Sequence, residues 1–557
     1  MIFIHNYFPK YTKALITSGI MAMGDGIKLT QHYATPEEYR FNALGKREGE
    51  LFSLVKEYAS CFYIDRLQGG TFYSEYSWDN ELLSEYEGLC PFLGFQLHEL
   101  GTTRMLDWTR VERQLAATGL PRTEDGVTEA IRQISANKEV IHLSQGRAEE
   151  YADGEMPRTL SKAFDDIRGV IRRAKKRTSG RVFNCDAGTS LAAMDTEEGL
   201  KLSFIEVGCQ TLYSRMQYAV RRGASRAAGG KWGVYLEPWA HMKNGTTCYC
   251  FMRDGSNEWF IMGEGFAYYH DGERGGSSMS YAKRTMFYTL FSGADYFSEE
   301  WGQANTFRDP DFTELSPYGI IKKDFSEFAR RFPCVKPYIP VAIVIPREYG
   351  VFNTHCRRFP YEGCEDDTEG GRLIEVAKSI VGLMYSGKRR GEEDTGEGDL
   401  GSEDRYFTVG DYGSIFDIIF DDSYTDPTSE YDLVIDYSGR LSGERIVCGF
   451  DGDAVRRALD AVISRLPVKL VSSGEIDYSF FEEDGRHFVA VYNHRGVSKD
   501  VELGETVAKE AEVTVRATAA GAIKAIEYLS GGEAKITSGT LEARLPGGEF
   551  IVFEYNM

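Results

Sequence analysis

The chain has 557 residues, of which 42% are hydrophobic, 27% charged and 13% aromatic, with a formal net charge of −21. A chain this long buries a large core without staples, and at roughly 150 residues per domain it divides into two to four domains. A negative field of this size repels phosphate backbones and anionic lipid, which argues against nucleic acid or a membrane surface as partner.

Short apolar runs that end in polar residues or Gly read as strands at Met1–Phe8, Gly26–His32, Cys61–Arg66, Pro91–Leu100, Arg181–Gly188, Leu202–Gly208, Lys231–Trp239 and Gly293–Glu300. Amphipathic stretches such as Leu160–Arg177 and Thr211–Arg222 read as helices between them. Strand–helix alternation predicts parallel sheet. Eight such strands predict a (β/α)8 TIM barrel over residues 1–335, with residues 101–160 as an elaborated connection carrying its own helices. The basic runs Arg172–Arg177 and Arg221–Arg226 fall at helix C-termini, where cations complement the dipole.

A second unit spans 336–474. Ile339–Pro346 and Asp432–Tyr437 read as buried strands, Val468–Val471 as a further strand, and Leu373–Ser386 and Asp453–Arg465 as helices, which together predict a small doubly wound α/β domain. Within it, Gly387–Asp404 is an acidic, Gly-rich loop. From residue 475 to 557 the period shortens. His487–Asn493, Glu512–Ala517, Ile523–Leu529 and Phe550–Tyr555 predict a small antiparallel β-sandwich.

The ten Cys form no CxxC and the nine His are sparse, so no zinc spacing arises; reduced, buried thiols and no metal or cofactor are expected. The N-terminus has no charged n-region, and no 18-residue apolar run exists, which predicts a cytoplasmic protein. No GxSxG elbow, P-loop or strand-borne GxGxxG is present.

Catalytic groups of a (β/α)8 barrel sit at the C-terminal ends of its strands. Carboxylates stand there in Asp65, Glu99, Asp186, Glu206 and Glu237, and in Glu299 and Glu300 after the eighth strand. Glycosidic bonds are cleaved by two carboxylates, one protonating the leaving oxygen and one attacking the anomeric carbon or activating water. The others would bind sugar hydroxyls, or form structural ion pairs with Arg66, Arg104 or Arg226. Trp108, Trp232, Tyr235, Trp239 and Trp301 lie beside these carboxylates, either as stacking platforms for sugar or as core aromatics.

With these strands and carboxylates counted, and with Gly293-Ala294-Asp295, Glu299–Trp301 and Leu315–Gly319 as the eighth strand and exit, the chain resembles clan A glycoside hydrolases. Its domain order is similar to that of family 42 β-galactosidases and family 164 β-mannosidases. The resemblance implies a flavodoxin-like second domain that contributes to trimers, and a retaining exo-β-glycosidase acting on β-galactosides or β-mannosides. In clan A the acid/base follows strand four and the nucleophile strand seven, which implies Glu99 as acid/base and Glu237 as nucleophile. Arg66, His98, Tyr235, Trp239 and Trp301, with Asp65, Asp186, Glu206, Glu299 and Glu300, are then candidates for substrate binding. His98 stands where most clan A enzymes have Asn. The alternatives are an inverting or non-standard glycosidase using Glu206 with Glu299 or Glu300, and an inactive carbohydrate-binding protein of the same fold.

Overall fold

The computed structural model describes residues 1–29, 49–65, 78–136, 148–186, 191–208, 214–237, 240–241, 247–248, 278–300, 302, 306–309, 311–350, 364–368, 370–385, 412–500 and 504–557. Eight parallel strands close into a barrel: β1 Ile2–Asn6, β2 Gly26–Leu29, β3 Cys61–Ile64, β4 Phe92–His98, β5 Val182–Asp186, β6 Leu202–Val207, β7 Lys231–Leu236 and β8 Tyr296–Glu299. Each expected strand is present and in order. The connection after β4 carries the helices Leu100–Thr118, Glu124–Ala136 and Ala148–Asp153 before Leu160–Thr178 returns to β5.

Side chains on successive strand residues point to opposite faces, and the barrel strands obey this closely. Ile4, Cys61, Tyr63, Phe183, Cys185, Phe204, Tyr235 and Tyr296 fill the interior as one cluster. Their neighbours Phe3, Ile205, Val207, Val234, Leu236 and Phe297 face outward, onto the helices Met279–Phe291 and Pro317–Ala329. The interior closes tightly where the Phe204 ring lies on Gly233, since a Cβ there would meet Phe204 Cε1 at 1.5 Å. A glycine is required at that contact for the aromatic ring to cross the barrel.

Beyond the barrel, Phe416–Phe420, Val341–Ile345, Leu433–Asp436 and Ile446–Cys448 form a parallel sheet in that spatial order. In chain order this is 2-1-3-4, the flavodoxin-like winding. Val341–Ile345 is buried at every position, as a central parallel strand covered on both faces must be. The expected last strand of this domain belongs elsewhere. Val468–Ser472 pairs antiparallel with Val513–Ala519. The reason is its alternation: Val468 is buried while Lys469 is exposed, which suits a half-covered antiparallel strand.

The C-terminal unit is a two-sheet sandwich. One sheet orders Lys336–Tyr338, Asp477–Glu483, Arg486–Tyr492, Phe550–Tyr555 and Ile523–Leu529; the other orders Val468–Ser472, Val513–Ala519, Thr540–Leu545 and Glu533–Thr537. The five-stranded sheet is covered on both faces. Phe481, Phe488, Tyr492, Phe550 and Val552 pack against barrel helices. Phe480, Val489, Val491, Ile551 and Phe553 face Val513, Val515 and Leu541 of the second sheet. Double coverage explains why these antiparallel strands read as continuous apolar runs.

The helix Ser214–Ala227 joins barrel and α/β domain. Arg222 Nε donates to Asp417 Oδ1 at 2.6 Å, Arg226 to Asp417 Oδ2 at 2.8 Å, and Tyr431 Oη also donates to Asp417. Gly223 lets the helix lie on the sheet backbone, because a Cβ there would approach the Ile418 carbonyl oxygen to 2.4 Å. Arg221 pairs with Asp195, which also accepts from Ser203 and Asn184. Arg222 and Arg226 therefore tie this barrel helix to the α/β domain, and Arg221 is tied within the barrel, so the run does more than complement the dipole of the helix that Arg226 closes. The run Arg172–Arg177 does close its helix, with Arg172 paired to Glu198 and Arg173 to Glu150.

Candidate active site

The alternation that fills the barrel also selects which polar groups reach its mouth. On β2, Lys28 shares the inward face with Gly26; on β4, His98 shares it with Gln96; on β6 and β7, Glu206 and Glu237 follow the inward Phe204 and Tyr235. Ladder hydrogen bonds hold the chain straight past the last strand residues. Asp65 N donates to Leu29 O, Glu99 N to Cys185 O at 2.7 Å, Glu237 N to Val207 O at 2.8 Å and Glu300 N to Leu236 O at 2.8 Å.

Glu99 then turns sharply, at φ 51° and ψ 33°. A non-glycine residue in the left-handed region costs about 1–2 kcal/mol, and such backbone recurs at functional sites. It is held by the helix that begins there: Thr103 N and Thr103 Oγ1 both donate to the Glu99 carbonyl, at 2.9 and 2.6 Å. Asp186 accepts from Gly101 N at the same helix start.

His98 is the hub of the mouth. Its Nε2 lies 3.7 Å from Glu99 Oε2, 3.5 Å from Glu206 Oε1 and 3.9 Å from Glu300 Oε1. Gln96 Nε2 sits 3.3 Å from His98 Nδ1. As the amide is oriented it donates there, which keeps the ring's hydrogen on Nε2, toward the carboxylates. One carboxylate oxygen each of Glu99, Glu206 and Glu237 lie within 4.8 Å of one another. Glu99 is the most exposed of this group at 15%, while Glu206 and Glu237 are buried. Burial, then the neighbouring Glu237, Glu99 and Glu300, pushes the Glu206 carboxyl well above the usual range.

Lys28 is wholly buried and bridges four strands. Its Nζ donates to Tyr235 Oη at 2.9 Å and to the Glu299 carbonyl at 2.6 Å, and lies 3.9 Å from Asp65 Oδ2. Tyr235 is thus part of the floor, its hydroxyl engaged by Lys28, and its ring meets His98 edge-on at 5.7 Å. Neither Lys28 nor Gln96 stood among the expected residues, although a Lys and a Gln at inward positions of apolar strands are the signal that marks them.

Three expectations are corrected. Glu299 turns outward, as the neighbour of inward Ser298 and Glu300 must. It pairs with Lys322 and accepts from Tyr318 Oη at 2.5 Å, away from His98. Trp108 lies in the helix layer, its Nε1 donating to Asp166 and its ring against Tyr151, and Trp232 packs outward on Tyr218; neither is at the mouth. Arg104 pairs with Asp166 and Arg226 with Asp417, away from the mouth. Arg66, Trp239 and Trp301 and the segment Gly387–Asp404 lie outside the described residues.

Two groups among the described residues are close enough to converge on a cation: His98, Cys185 and Glu206, and Glu99, Glu206 and Glu237. The Cys185 thiol is held well above its ordinary range by burial and by Glu206, which keeps it protonated rather than a thiolate ligand. The described cysteines are free thiols; Cys61, Cys90 and Cys185 are buried, whereas Cys334 and Cys448 are exposed, against the expectation of burial.

No protein-family profile and no curated protein matches the chain. Among solved structures it is similar to a GH42 β-galactosidase from G. stearothermophilus, at 8% identity and TM-score 0.49, covering 100% of this chain and 98% of that one. It is also similar to the β-galactosidase from Rahnella sp. R3, at 9% identity and TM-score 0.43 with the same coverage. The α-L-fucosidase isoenzyme 2 from Paenibacillus thiaminolyticus aligns at 10% identity and TM-score 0.38, covering 95% and 99%. With every TM-score below 0.5, these likenesses carry no argument about fold or function.

Proposed function

We propose that the chain is a retaining exo-β-glycosidase acting on non-reducing-end sugars of the β-galactoside or β-mannoside class. One observation carries the reading. Glu99 follows the fourth barrel strand, Glu237 follows the seventh, and their carboxylate oxygens approach within 4.8 Å. An oxygen approach of this order is compatible with the about 5–5.5 Å between the carboxyl groups of retaining glycosidases.

Glu99, at the more open side of the pocket, protonates the glycosidic oxygen as Glu237 attacks the anomeric carbon. Glu99 then takes a proton from the water that releases the sugar from Glu237. His98, with its Nε2 hydrogen directed among the carboxylates, offers a donor to a sugar hydroxyl in the place where clan A enzymes use Asn. Asp65, Glu206 and Glu300 complete the polar wall, and Arg66, Trp239 and Trp301 are retained as candidates for sugar contacts. Self-association as a trimer and a cytoplasmic location belong to the same proposal. Among the described residues no helix is long and apolar enough to cross a membrane.

A panel of aryl glycosides tests the activity. Glu237→Ala is expected to abolish turnover, and Glu99→Ala to spare only substrates with very acidic leaving groups. Azide is expected to rescue the two variants with opposite anomeric products. Full turnover by Glu237→Ala would end the assignment. Light scattering that gives a single 62.7 kDa species at micromolar concentration rules out the trimer.

A further inference from the structure

We propose that Glu206 keeps its proton at neutral pH and donates a hydrogen bond to Glu237, acting as a positioning residue that holds the attacking carboxylate ionised and aimed. This rests on Glu237 being the nucleophile.

Charge balance carries the inference. Glu99, Glu206 and Glu300 arrive from β4, β6 and β8 around a single imidazole, that of His98, and Glu237 arrives from β7 beside Glu99 and Glu206. The other groups facing this pocket are Cys185 on β5, Tyr235 on β7, and Lys28 with Asp65 at the floor. Lys28 is the one described ammonium among them, and it is committed to Tyr235, the Glu299 carbonyl and Asp65. Carboxylates within 4.8 Å of each other in a poorly solvated pocket cannot all ionise, so protons are shared and one group retains its own.

Glu206 is the group built to retain it. It is 1% exposed. Its Oε2 is buried and accepts no hydrogen bond from any described donor. A buried carboxylate oxygen without a donor is costly, whereas a carboxylic acid in the same place has a hydrogen to give. Its inward position on β6 sets it beside Glu237 on the adjoining β7, because Glu206 pairs with Tyr235 in register and Glu237 follows two residues on. The upward displacement of its pKa by burial and by Glu237, Glu99 and Glu300 agrees with this.

Two variants and one spectrum test it. Glu206→Leu removes the donor and is expected to lower kcat about 10- to 100-fold, the worth of one hydrogen bond to an ionised group, with KM little moved. Glu206→Gln cannot ionise but keeps an N–H donor, and is expected to recover most of that loss. Infrared difference spectra of wild type against Glu206→Gln at pH 7 should carry the carbonyl stretch of a protonated carboxyl, a readout that a merely structural side chain would not give. Absence of that band overturns the proposal even where a variant folds poorly. So does a Glu206→Gln variant as inactive as Glu237→Ala and rescued by azide, which would make Glu206 the nucleophile itself. If the band is present but Glu237→Ala still turns over, the nucleophile assignment fails and the protonated Glu206 stands.

Discussion

Asp417→Ala is the substitution through which the joint between barrel and α/β domain is best weighed. Asp417 is fully buried and accepts from Arg222 at 2.6 Å, Arg226 at 2.8 Å and Tyr431 at 3.0 Å. Removing it leaves the Arg222 guanidinium, whose side chain is 4% exposed, without its anion. Breaking a buried pair from one side costs about 3–5 kcal/mol. Arg226 is 36% exposed and adds no more than about 1 kcal/mol after screening. The expected loss is therefore about 3–5 kcal/mol, nearly all from Arg222. Guanidinium unfolding and calorimetry should show it in the transition that releases residues 341–448, since a chain of several domains need not unfold in one step. Arg222→Met combined with Asp417→Leu should regain most of the loss, because both charges then leave the interior together. A loss below about 1 kcal/mol, or a double variant no better than the single one, would refute the reasoning.

Three further outcomes follow from buried charge. Lys322→Met strands Glu299 in the helix layer and is expected to destabilise by about 3–5 kcal/mol in denaturant titrations, whereas Glu299→Gln is expected to lower kcat/KM far less than Glu300→Gln does. An equal kinetic loss in the two Gln variants would return Glu299 to the site. His494 is held down to about 3 by burial, although Asp477 beside it pulls the other way, with Arg284 and Arg215 also opposing its charge. Its folded pKa lies below its unfolded value near 6.5, so the unfolded chain takes the proton first. Stability is full above pH 6.5 and falls as pH drops toward 3, by up to about 1.4 kcal/mol per unit. Burial alone would raise Asp477, but Arg215 and His494 hold it low, which adds a loss of the same sign in more acid solution. His494→Gln should flatten the pH dependence of denaturation between about pH 4 and 6; an unchanged slope would show that His494 is not the group responsible.

The barrel was legible because its strands are buried on both faces, and such strands announce themselves as apolar runs whatever their partners. The strand count then placed Glu99 and Glu237 at neighbouring heights of one rim. What the runs do not announce is which side chains point in. Glu299 and Glu300 look alike in sequence, yet one residue of pleat sends Glu299 to Lys322 and Glu300 to His98. Applying the same period of two to β2 would have found Lys28, since Gly26 and Lys28 share a face. Asp186 shows the limit of proximity: it stands at a strand end but is used to start a helix. Val468–Val471 reads as a strand of the α/β domain, yet it joins the sandwich, because the exposed Lys469 and Val471 alternate with Val468 and Leu470 as a half-covered strand requires.

The five-stranded sheet that lies between the barrel helices and the second layer of the sandwich has a consequence for synthesis. Phe550–Tyr555 is made some 250 residues after the last barrel strand, yet it lines the surface against which Met279–Phe291 and Pro317–Ala329 rest. Until those late strands emerge, a nascent barrel carries Phe287, Phe291, Phe328 and Phe332 uncovered. Translation thus passes through a long interval in which a closed barrel displays an oily flank, the kind of surface that chaperones hold and that aggregates when they do not. A barrel expressed alone up to residue 335 is expected to keep this flank uncovered, and its solubility against that of the full chain checks the point.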